Sequence, residues 1–218
     1  MCEGVLMMFS SEELLELENT IKTVMSDHRY THTIGVRDAA KKIAQYCYVG
    51  DISELVAAAL LHDISKEYSV EKQMEIMQKM DVNLKDSDLM SEQIFHSFTA
   101  PYVIKNEYKK FSTTNILSAV LNHTTGNPNM SLFDEIIFIA DYVEDNRKYL
   151  NCVNVREKLY DAFNSSHDRE ECVAHLHKAT ISALELTIID LLKNGRCLNE
   201  RTVATRNAFL SRVPMPVD

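Results

Sequence analysis

Residues 55–63 read LVAAALLHD, in which seven apolar residues run directly into His62 and Asp63. A helix that is apolar on every side belongs in the centre of a domain, where other elements cover it. Asp51, followed by Glu54, predicts an N-cap for this helix. A buried imidazole or carboxylate is costly unless it is paired, hydrogen-bonded or bound to a metal. The stretch therefore predicts a buried helix that ends in two metal-competent side chains.

The rest of the chain also has helical patterns. Only 5 Gly and 4 Pro occur in 218 residues, which is too few turn-forming residues for a many-stranded β fold. Apolar periodicity predicts helices at about 11–25, 30–47, 98–108 and 114–123, another after Ser69, one capped by Ser131, and more over 153–210. The helix after Ser131 contains the apolar run 136–143, in which Asp141 is the one charged residue. No strand pattern is found, so the predicted fold class is all-α.

The length of the chain suits one helical domain over residues 1–218. Within it we expect a metal-binding core over about 26–150 and a C-terminal helical extension over about 151–218. Periodicity leaves two roles open for the apolar helices after Val153. They either complete the core or form the contact face of a homodimer.

The composition narrows the classes of partner and the cellular location. With 23 basic and 32 acidic residues the formal net charge is −9, which argues against binding to nucleic acid or to an anionic membrane. No apolar stretch reaches the ~20 residues that span a bilayer, and no basic residue precedes the short apolar run near the N-terminus. Five scattered cysteines without a C-x-x-C pair predict reduced thiols: Cys2, Cys47, Cys152, Cys172 and Cys197. Together these features predict a cytoplasmic protein.

The chain contains two His-Asp pairs, and a bare dipeptide is weak evidence for a metal site. His62-Asp63 has the apolar surroundings that a buried metal centre needs. His167-Asp168 lies in the polar connector 164–169, where Asp168 is predicted to cap the following helix. We therefore interpret the second pair as structural.

A more specific signal comes from five ordered blocks: RYTHT (29–33), LLHDISKE (60–67), FHS (95–97), NHTTG (122–126) and IIFIADYVEDNR (136–147). With these blocks the chain resembles the YqeK family of HD-domain proteins, which hydrolyse diadenosine tetraphosphate symmetrically to two ADP. The similarity covers most of the chain, including TVATRN at 202–207. Asp145 stands where that family usually has a proline.

The resemblance implies an HD-domain helical bundle around a binuclear metal site, with two transition-metal ions that are usually iron. The positions that match the family's ligands are His32, His62, Asp63, His96, His123 and Asp141. The first metal would take His32, His62, Asp63 and Asp141, and the second would take Asp63, His96 and His123. Four imidazoles and two carboxylates suit Fe, Mn, Co or Zn better than Ca or Mg.

Further polar residues near these blocks are candidates for substrate contacts: Lys66, Thr124, Thr125, Gly126 and Arg147. Lys66 is one helical turn from His62 and is positioned to reach a phosphate, although a solvated lysine beside Glu67 is an equally good interpretation. The segment 124–126 follows a predicted ligand, and its competing interpretation is a helix-ending turn. The planar fork of Arg147 suits a phosphate clamp.

Other charged side chains near the blocks have structural interpretations. Arg29 is predicted to brace the site through a carboxylate. His28, His175 and His177 match no ligand position, and we assign them to the surface or to ordinary hydrogen bonds.

The predicted reaction is hydrolysis of diadenosine tetraphosphate by a metal-bound hydroxide, with Asp63, Lys66 and Arg147 as the catalytic residues. The same fold allows hydrolysis of another nucleotide, such as a nucleoside monophosphate or guanosine tetraphosphate. It also allows a di-iron oxygenase, or a non-catalytic module that binds a nucleotide. No Gly-rich phosphate loop is present, which argues against a kinase or P-loop enzyme.

Overall fold

The computed structural model describes residues 7–80 and 84–213, and within these ranges it contains helices and no strand. The α-helices are α1 (Ser11–Val24), α2 (Asp27–Cys47), α3 (Ile52–Leu61), α4 (Val70–Lys79), α5 (Asp86–Leu89), α6 (Phe95–Glu107), α7 (Thr114–Asn122), α8 (Leu132–Val143), α9 (Leu150–Ser165), α10 (Arg169–Lys193) and α11 (Glu200–Leu210). Short 3-10 helices lie at Glu92–Ile94 and Lys109–Phe111. The predicted all-α class is confirmed.

Helix α3 lies at the centre of the fold, as its sequence predicts. Every residue from Ser53 to Leu61 is buried, and the helix packs against α1, α2, α7 and α8. Asp51 caps it by accepting a 2.8 Å hydrogen bond from the backbone N–H of Ser53. The side chain of Glu54, three residues after Asp51, contacts another helix. The Glu54 carboxylate accepts hydrogen bonds from Thr113 and Asn115 at the start of α7, because burial places it beside those donors.

Two of the ligand-bearing helices begin earlier than the sequence predicts. Helix α2 starts at Asp27, where Ser26 accepts a hydrogen bond from the Arg29 N–H. Glu67, 41 residues away, accepts hydrogen bonds from the backbone N–H and the hydroxyl of Ser26 at 2.8 and 2.5 Å. Such a long-range contact has no local signal. Helix α6 starts at Phe95 instead of near Phe98, which places His96 in its first turn.

Two further predicted helix caps are confirmed. Ser131 and Asp134 form a capping box at the start of α8. Asp168 accepts a 2.9 Å hydrogen bond from the Glu171 N–H at the start of α10, and the Glu171 carboxylate accepts one from the His167 N–H. The second His-Asp pair therefore begins a helix, as interpreted.

The helices after residue 150 complete the core. Helix α10 packs against α2 and α8 as well as against α9 and α11. At its interface with α8, the fully buried carboxylate of Glu135 in α8 accepts a hydrogen bond from Thr180 and contacts His177 at 2.9 Å, both in α10. One hydrophobic cluster runs from Phe9 to Phe209. The homodimer face remains a prediction.

Two sequence-based expectations concern thiols and membranes. Cys47, Cys152, Cys172 and Cys197 are free thiols, while Cys2 lies outside the described residues. In the ranges that the structure describes, no helix combines the length and the apolar composition needed to cross a membrane.

Candidate metal centre

Five helices bring the six predicted ligands to one place. His32 is in the second turn of α2, His96 is in the first turn of α6, and Asp141 is in the last turn of α8. His62 and Asp63 directly follow α3, and His123 directly follows α7. Apart from Asp141, whose side chain is 18% exposed, these side chains are buried. Residues that are up to 109 positions apart in the sequence therefore share one buried cluster.

Asp63 lies between two sets of imidazoles. Its Oδ1 is 3.2 Å from Nε2 of His96 and 3.5 Å from Nε2 of His123. Its Oδ2 is 3.4 Å from Nε2 of His62 and 3.7 Å from Nε2 of His32. Because each oxygen faces a different pair of histidines, the carboxylate divides the cluster into two halves.

Asp141 belongs to the half that contains His32 and His62. Its Oδ1 lies 3.0 Å from His32 Nε2 and 3.9 Å from His62 Nε2. The ligand atoms of these three residues all lie within 4.8 Å of one another, and so do those of His62, Asp63 and His123. Both groups have a size that suits a metal ion.

The far side of the histidine rings fixes their orientation. Nδ1 of His62 donates to the Ala59 carbonyl at 2.7 Å, and Nδ1 of His123 donates to the Val120 carbonyl at 2.6 Å. With the proton on Nδ1, the lone pair of Nε2 points into the cluster. Nδ1 of His32 faces the Glu144 carboxylate at 3.2 Å. Metal-binding histidines commonly have such partners on their second ring nitrogen.

Unpaired buried nitrogens provide a test of whether the cluster fits a metal. Nε2 of His32 and Nε2 of His62 are buried, and among the described residues neither has a hydrogen-bond partner with good geometry, although His32 Nε2 lies close to the Asp141 carboxylate. Nε2 of His96 lies only 3.1 Å from Nε2 of His123. Buried polar atoms without partners are costly, and a bound cation satisfies several such lone pairs at once. The donor set of imidazole nitrogens and carboxylate oxygens fits a transition metal.

The charges of the cluster also favour cation binding. Burial tends to raise the pKa of Asp63, but the surrounding His62, His123 and His96 hold it well below its usual value. Burial also tends to raise the pKa of Asp141, but Arg147 and His32 lower it by more, so this pKa too lies well below its usual value. Both carboxylates therefore carry negative charge in the interior.

The pKa values of two histidines move in opposite directions. Burial alone would lower the pKa of His32, but the carboxylates of Asp141 and Glu144 raise it to about 9. For His96, burial is the main cause of a pKa well below the usual value, and Lys66 lowers it further. A proton and a metal compete for the same nitrogen, so a metal held by His32 would displace this proton.

Two arginines contact the carboxylates of the cluster. Arg29 forms an ion pair with Oδ2 of Asp63, which confirms the predicted bracing contact. Arg147 donates from Nη2 to Oδ1 of Asp141 at 2.6 Å and from Nε to the Asp141 carbonyl at 2.8 Å. The Arg147 side chain remains 32% exposed, so part of its fork faces solvent.

The other predicted substrate contacts separate into two groups. Lys66 Nζ donates to the Gln93 carbonyl at 3.0 Å and lies 3.1 Å from Nδ1 of His96, so it faces the cluster and is not fully solvated. The Thr124 hydroxyl lies 3.0 Å from Nε2 of His123 and 3.2 Å from Nε2 of His96. Both side chains therefore lie against the half that contains His96.

The contacts of Thr125 and Gly126 are made within their own turn and with α11. Both are buried, and the Gly126 N–H donates to the Asn122 carbonyl at 2.9 Å in the turn that ends α7. A Cβ on Gly126 would lie 2.7 Å from Cγ2 of Thr205 in α11. These contacts match the competing interpretation of the segment as a helix-ending turn.

A cleft opens beside the half of the cluster that contains His32. It has a volume of about 740 Å³, and its walls include Arg29, Arg147 and Tyr149. The Tyr149 side chain is 76% exposed. The cleft walls also include the carboxylates of Asp27 and Glu144, so the cleft presents cationic, acidic and aromatic side chains to a ligand.

Comparison with known proteins assigns the fold family. Residues 29–146, which include all six clustered ligands, match the HD domain model. The chain belongs to the HD domain family. The matched segment includes the His62-Asp63 pair and the other four predicted ligands.

Similar HD proteins cover nearly the whole chain. A protein of Halalkalibacterium halodurans, named symmetrical bis(5'-nucleosyl)-tetraphosphatase, is 32% identical over 87% of this chain and 93% of its own length. The protein of Bacillus subtilis with that name is 28% identical over 88% and 94%. A crystal structure from Clostridium acetobutylicum, described as a predicted HD superfamily hydrolase involved in NAD metabolism, has 28% identity and a TM-score of 0.78, and the match covers 96% of this chain and 100% of that one. The resemblance to the YqeK family is confirmed.

Sequence reasoning missed three residues of this HD centre. Glu144 contacts His32, Gly35 lies against Glu144, and Arg156 donates to backbone carbonyls at the end of α8. Gly35 lies three residues after His32 in α2, which places it on the same side of that helix, and Glu144 directly follows the helix that contains Asp141. That spacing was the available signal. Arg156 lies outside the matched segment and had none.

Proposed function

We propose that the chain hydrolyses diadenosine tetraphosphate symmetrically, giving two ADP, at a centre that holds two transition-metal ions. The observation that carries the proposal is the position of Asp63, whose two oxygens face two separate pairs of histidines. The names of the two bacterial relatives support the choice of substrate. Iron is the metal that we propose, and metal analysis of protein purified without oxygen tests that choice.

The six clustered residues would hold the metals, with Asp63 shared between the two halves. Bound metal ions of this kind supply Lewis acidity, which offsets charge on phosphate oxygens and makes water a stronger acid. The protein contributes orientation: the Nδ1 contacts of His62 and His123 hold both rings with Nε2 directed inward. Because the cluster is largely buried, its charges act through a medium less polar than water.

Two cationic side chains flank the cluster on opposite halves. Lys66 lies beside His96, and Arg147 lies beside Asp141. A chain of four phosphates is an extended anion, so its two ends can meet Lys66 and Arg147 while its middle crosses the cluster. In the symmetrical reaction the oxygen of water bonds to the second phosphorus from one adenosine. The bridging oxygen to the third phosphorus then leaves with the other ADP. Lys66 and Arg147 offset the charge on the two departing halves.

Tyr149 is the proposed platform for one adenine ring. Its exposed ring lies on the wall of the cleft that also contains Arg147. Stacking of a base on an aromatic side chain contributes about 1–3 kcal/mol. We expect Tyr149→Ala to raise KM for diadenosine tetraphosphate by about tenfold, while Tyr149→Phe keeps the wild-type KM. An unchanged KM for the alanine variant would place the base elsewhere.

The central experiment follows the products. Metal-replete protein is incubated with diadenosine tetraphosphate in ¹⁸O-labelled water, and the nucleotides are separated by chromatography and weighed by mass spectrometry. We expect ADP as the sole nucleotide product, with one ¹⁸O for every two ADP. Formation of AMP and ATP, or no turnover, contradicts the proposal. Parallel reactions with nucleoside monophosphates and guanosine tetraphosphate test the other HD-type substrates, and faster turnover of either would replace the proposed one.

A further inference from the structure

Among the four clustered histidines, His32 has a carboxylate behind its ring. Nδ1 of His32 lies 3.2 Å from Oε1 of Glu144, whose side chain is 2% exposed. By contrast, the Nδ1 atoms of His62 and His123 donate to carbonyls three residues earlier in their own segments. Glu144 directly follows α8, so this contact ties α2 to α8 at the cluster.

A glycine makes room for this carboxylate. Gly35 is in the interior of α2, three residues after His32. A Cβ at this position would lie 2.2 Å from Oε2 of Glu144, far inside contact distance. Glycine in a helix interior is unfavourable relative to alanine, so its presence needs a compensating reason. The close approach of Glu144 supplies that reason.

The loop that carries Glu144 is held on its other side. Oε2 of Glu144 accepts a 2.6 Å hydrogen bond from the Asn146 N–H. The guanidinium of Arg156, in α9, donates to the carbonyls of Val143, Glu144 and Arg147. The carboxylate is therefore fixed by contacts that do not involve the cluster.

We propose that Glu144, seated against Gly35, is a positioning residue that aims Nε2 of His32 into the metal site shared with Asp141. The proposal rests on the binuclear centre of the proposed function. A carboxylate behind a metal-binding histidine fixes its tautomer and makes it a stronger ligand. Because Glu144 contacts only His32 among the four histidines, it acts on one half of the cluster. The structure thus predicts a selective effect on one of two metals.

The test is a titration of metal-free protein with Co²⁺, in competition with a chromophoric chelator. We expect wild-type protein to bind two Co²⁺, and we expect Glu144→Ala to weaken one site by 10- to 100-fold while the other keeps its affinity. The visible absorption of Co²⁺ should change for the weakened site only. Glu144→Gln keeps an oxygen near Nδ1 of His32. Its Co²⁺ affinity at the weakened site should therefore lie between those of wild type and Glu144→Ala.

Glu135→Gln is the matched control. Glu135 is also a buried carboxylate of the α8 sequence that contacts a histidine, but its partner is His177 in α10. This variant is expected to lower the melting temperature and to leave both Co²⁺ affinities unchanged. If Glu135→Gln also weakened Co²⁺ binding, the effect of Glu144→Ala would reflect a general loss of packing around α8.

Gly35→Ala separates a positioning role from a structural one. Alanine is the better helix former, and the atoms that its methyl group would overlap are the ends of flexible side chains, so we expect the helix gain and the overlap to offset one another and the metal-free variant to melt close to the wild-type temperature. Its methyl group should displace the Glu144 carboxylate and weaken the same Co²⁺ site by about tenfold. Equal Co²⁺ affinities in wild type, Glu144→Ala and Gly35→Ala overturn the proposal, as does equal weakening of both sites. If wild-type protein fails to bind two Co²⁺, the binuclear centre itself fails, which is a separate result.

Discussion

Asp63 and Asp168 each follow a histidine, but their carboxylates lie in opposite environments. Asp63 is buried among imidazoles and pairs with Arg29. Asp168 lies at the exposed start of α10 and caps that helix. An amide in place of Asp63 removes the negative charge that both halves of the cluster share. An amide in place of Asp168 still offers an oxygen to the helix N-terminus.

We therefore expect Asp63→Asn to lower the rate of ADP formation by at least about a thousandfold, equivalent to about 4 kcal/mol of the barrier. Its metal content should fall below two per chain. Asp168→Asn, the matched control, should keep the wild-type rate and metal content. Chromatography of the nucleotides and elemental analysis of the purified variants provide the measurements. If Asp63→Asn formed ADP at the wild-type rate, the cluster around Asp63 would not be the active site.

Thiol reactivity is a second property set at the residue scale. Burial raises the pKa of Cys47 to about 12, and the nearby Glu135 and Cys172 act in the same direction. At pH 8 only about one Cys47 thiol in ten thousand is then ionised, and the thiolate is the reactive form. Cys197 is partly exposed. The two thiols should therefore react at very different rates.

In native protein at pH 8 we expect iodoacetamide to modify Cys197 at least about 100-fold faster than Cys47. Because the pKa of Cys47 is raised, moving from pH 8 to pH 9 should increase the rate of its modification by about tenfold. Cys47 should still react more slowly than Cys197. Peptide mass spectrometry over a time course measures both rates. In urea-unfolded protein the two rates should become similar. Equal labelling in the native state would show that Cys47 is accessible.

At the scale of elements, the end of α7 depends on its contact with α11. Gly126 has φ of +71°, a conformation that glycine adopts without strain, and Gly195 at the end of α10 has φ of +61°. The surroundings of the two differ. A Cβ on Gly126 would meet Cγ2 of Thr205 at 2.7 Å, whereas a Cβ on Gly195 would have no neighbour within 4 Å. An alanine at Gly195 therefore introduces backbone strain alone, whereas an alanine at Gly126 introduces backbone strain and steric overlap.

We expect Gly195→Ala to lower the free energy of unfolding by about 1 kcal/mol, the cost of a left-handed residue with a side chain. Gly126→Ala should cost about 1–3 kcal/mol more, because overlap adds to the strain. Thr205→Ser removes the overlapping methyl group and should recover part of that extra cost. Urea unfolding of the single and double variants gives the coupling energy. Equal losses for both alanine variants would mean that α11 does not restrict this turn.

Local patterns predicted most elements but not the contacts between them. The apolar run of α3 and the caps Asp51, Ser131 and Asp168 depend on neighbours in the sequence, and the structure has them where predicted. The start of α2 depends on Glu67, which is 41 residues away. Similarly, the carboxylate of Glu54 turns to α7 instead of its own helix end. Long-range hydrogen bonds of this kind have no periodic signal.

The candidate site shows the same limit. Its six clustered residues were identified from the five sequence blocks. Each block contains a histidine or an aspartate, and the blocks occur along the chain in the order typical of the family. The residues behind them were not, because Glu144 and Arg156 resemble ordinary surface charges in the sequence. Their role follows from burial and from partners that only the fold brings near. Sequence therefore predicts the inner residues of such a site better than the residues that orient them.

At the scale of the whole molecule, the six clustered residues connect five helices that are far apart in the chain. Metals held by them would act as cross-links between α2, α3, α6, α7 and α8. A ligand that binds only the folded state stabilises it, by about 2.7 kcal/mol at a concentration 100 times its dissociation constant. For a chain of about 200 residues, each kcal/mol corresponds to about 2–4 °C in melting temperature. Removal of the metals should therefore destabilise the entire fold.

We expect dialysis against a chelator to lower the melting temperature of the wild-type protein by about 5–10 °C, and addition of Mn²⁺ or Co²⁺ to restore it. The chelator should have little effect on Asp63→Asn, because that variant has lost the shared ligand and with it most of the cross-link. Scanning calorimetry of both proteins with and without metal provides the comparison. The same melting temperature for treated and untreated wild type, at a verified loss of metal, would show that the five helices hold together without the cluster. Since α3 is buried mainly by apolar contacts that do not involve the metals, the fold itself should survive metal removal, and the lost stability should appear as a lower transition temperature instead of unfolding at 25 °C.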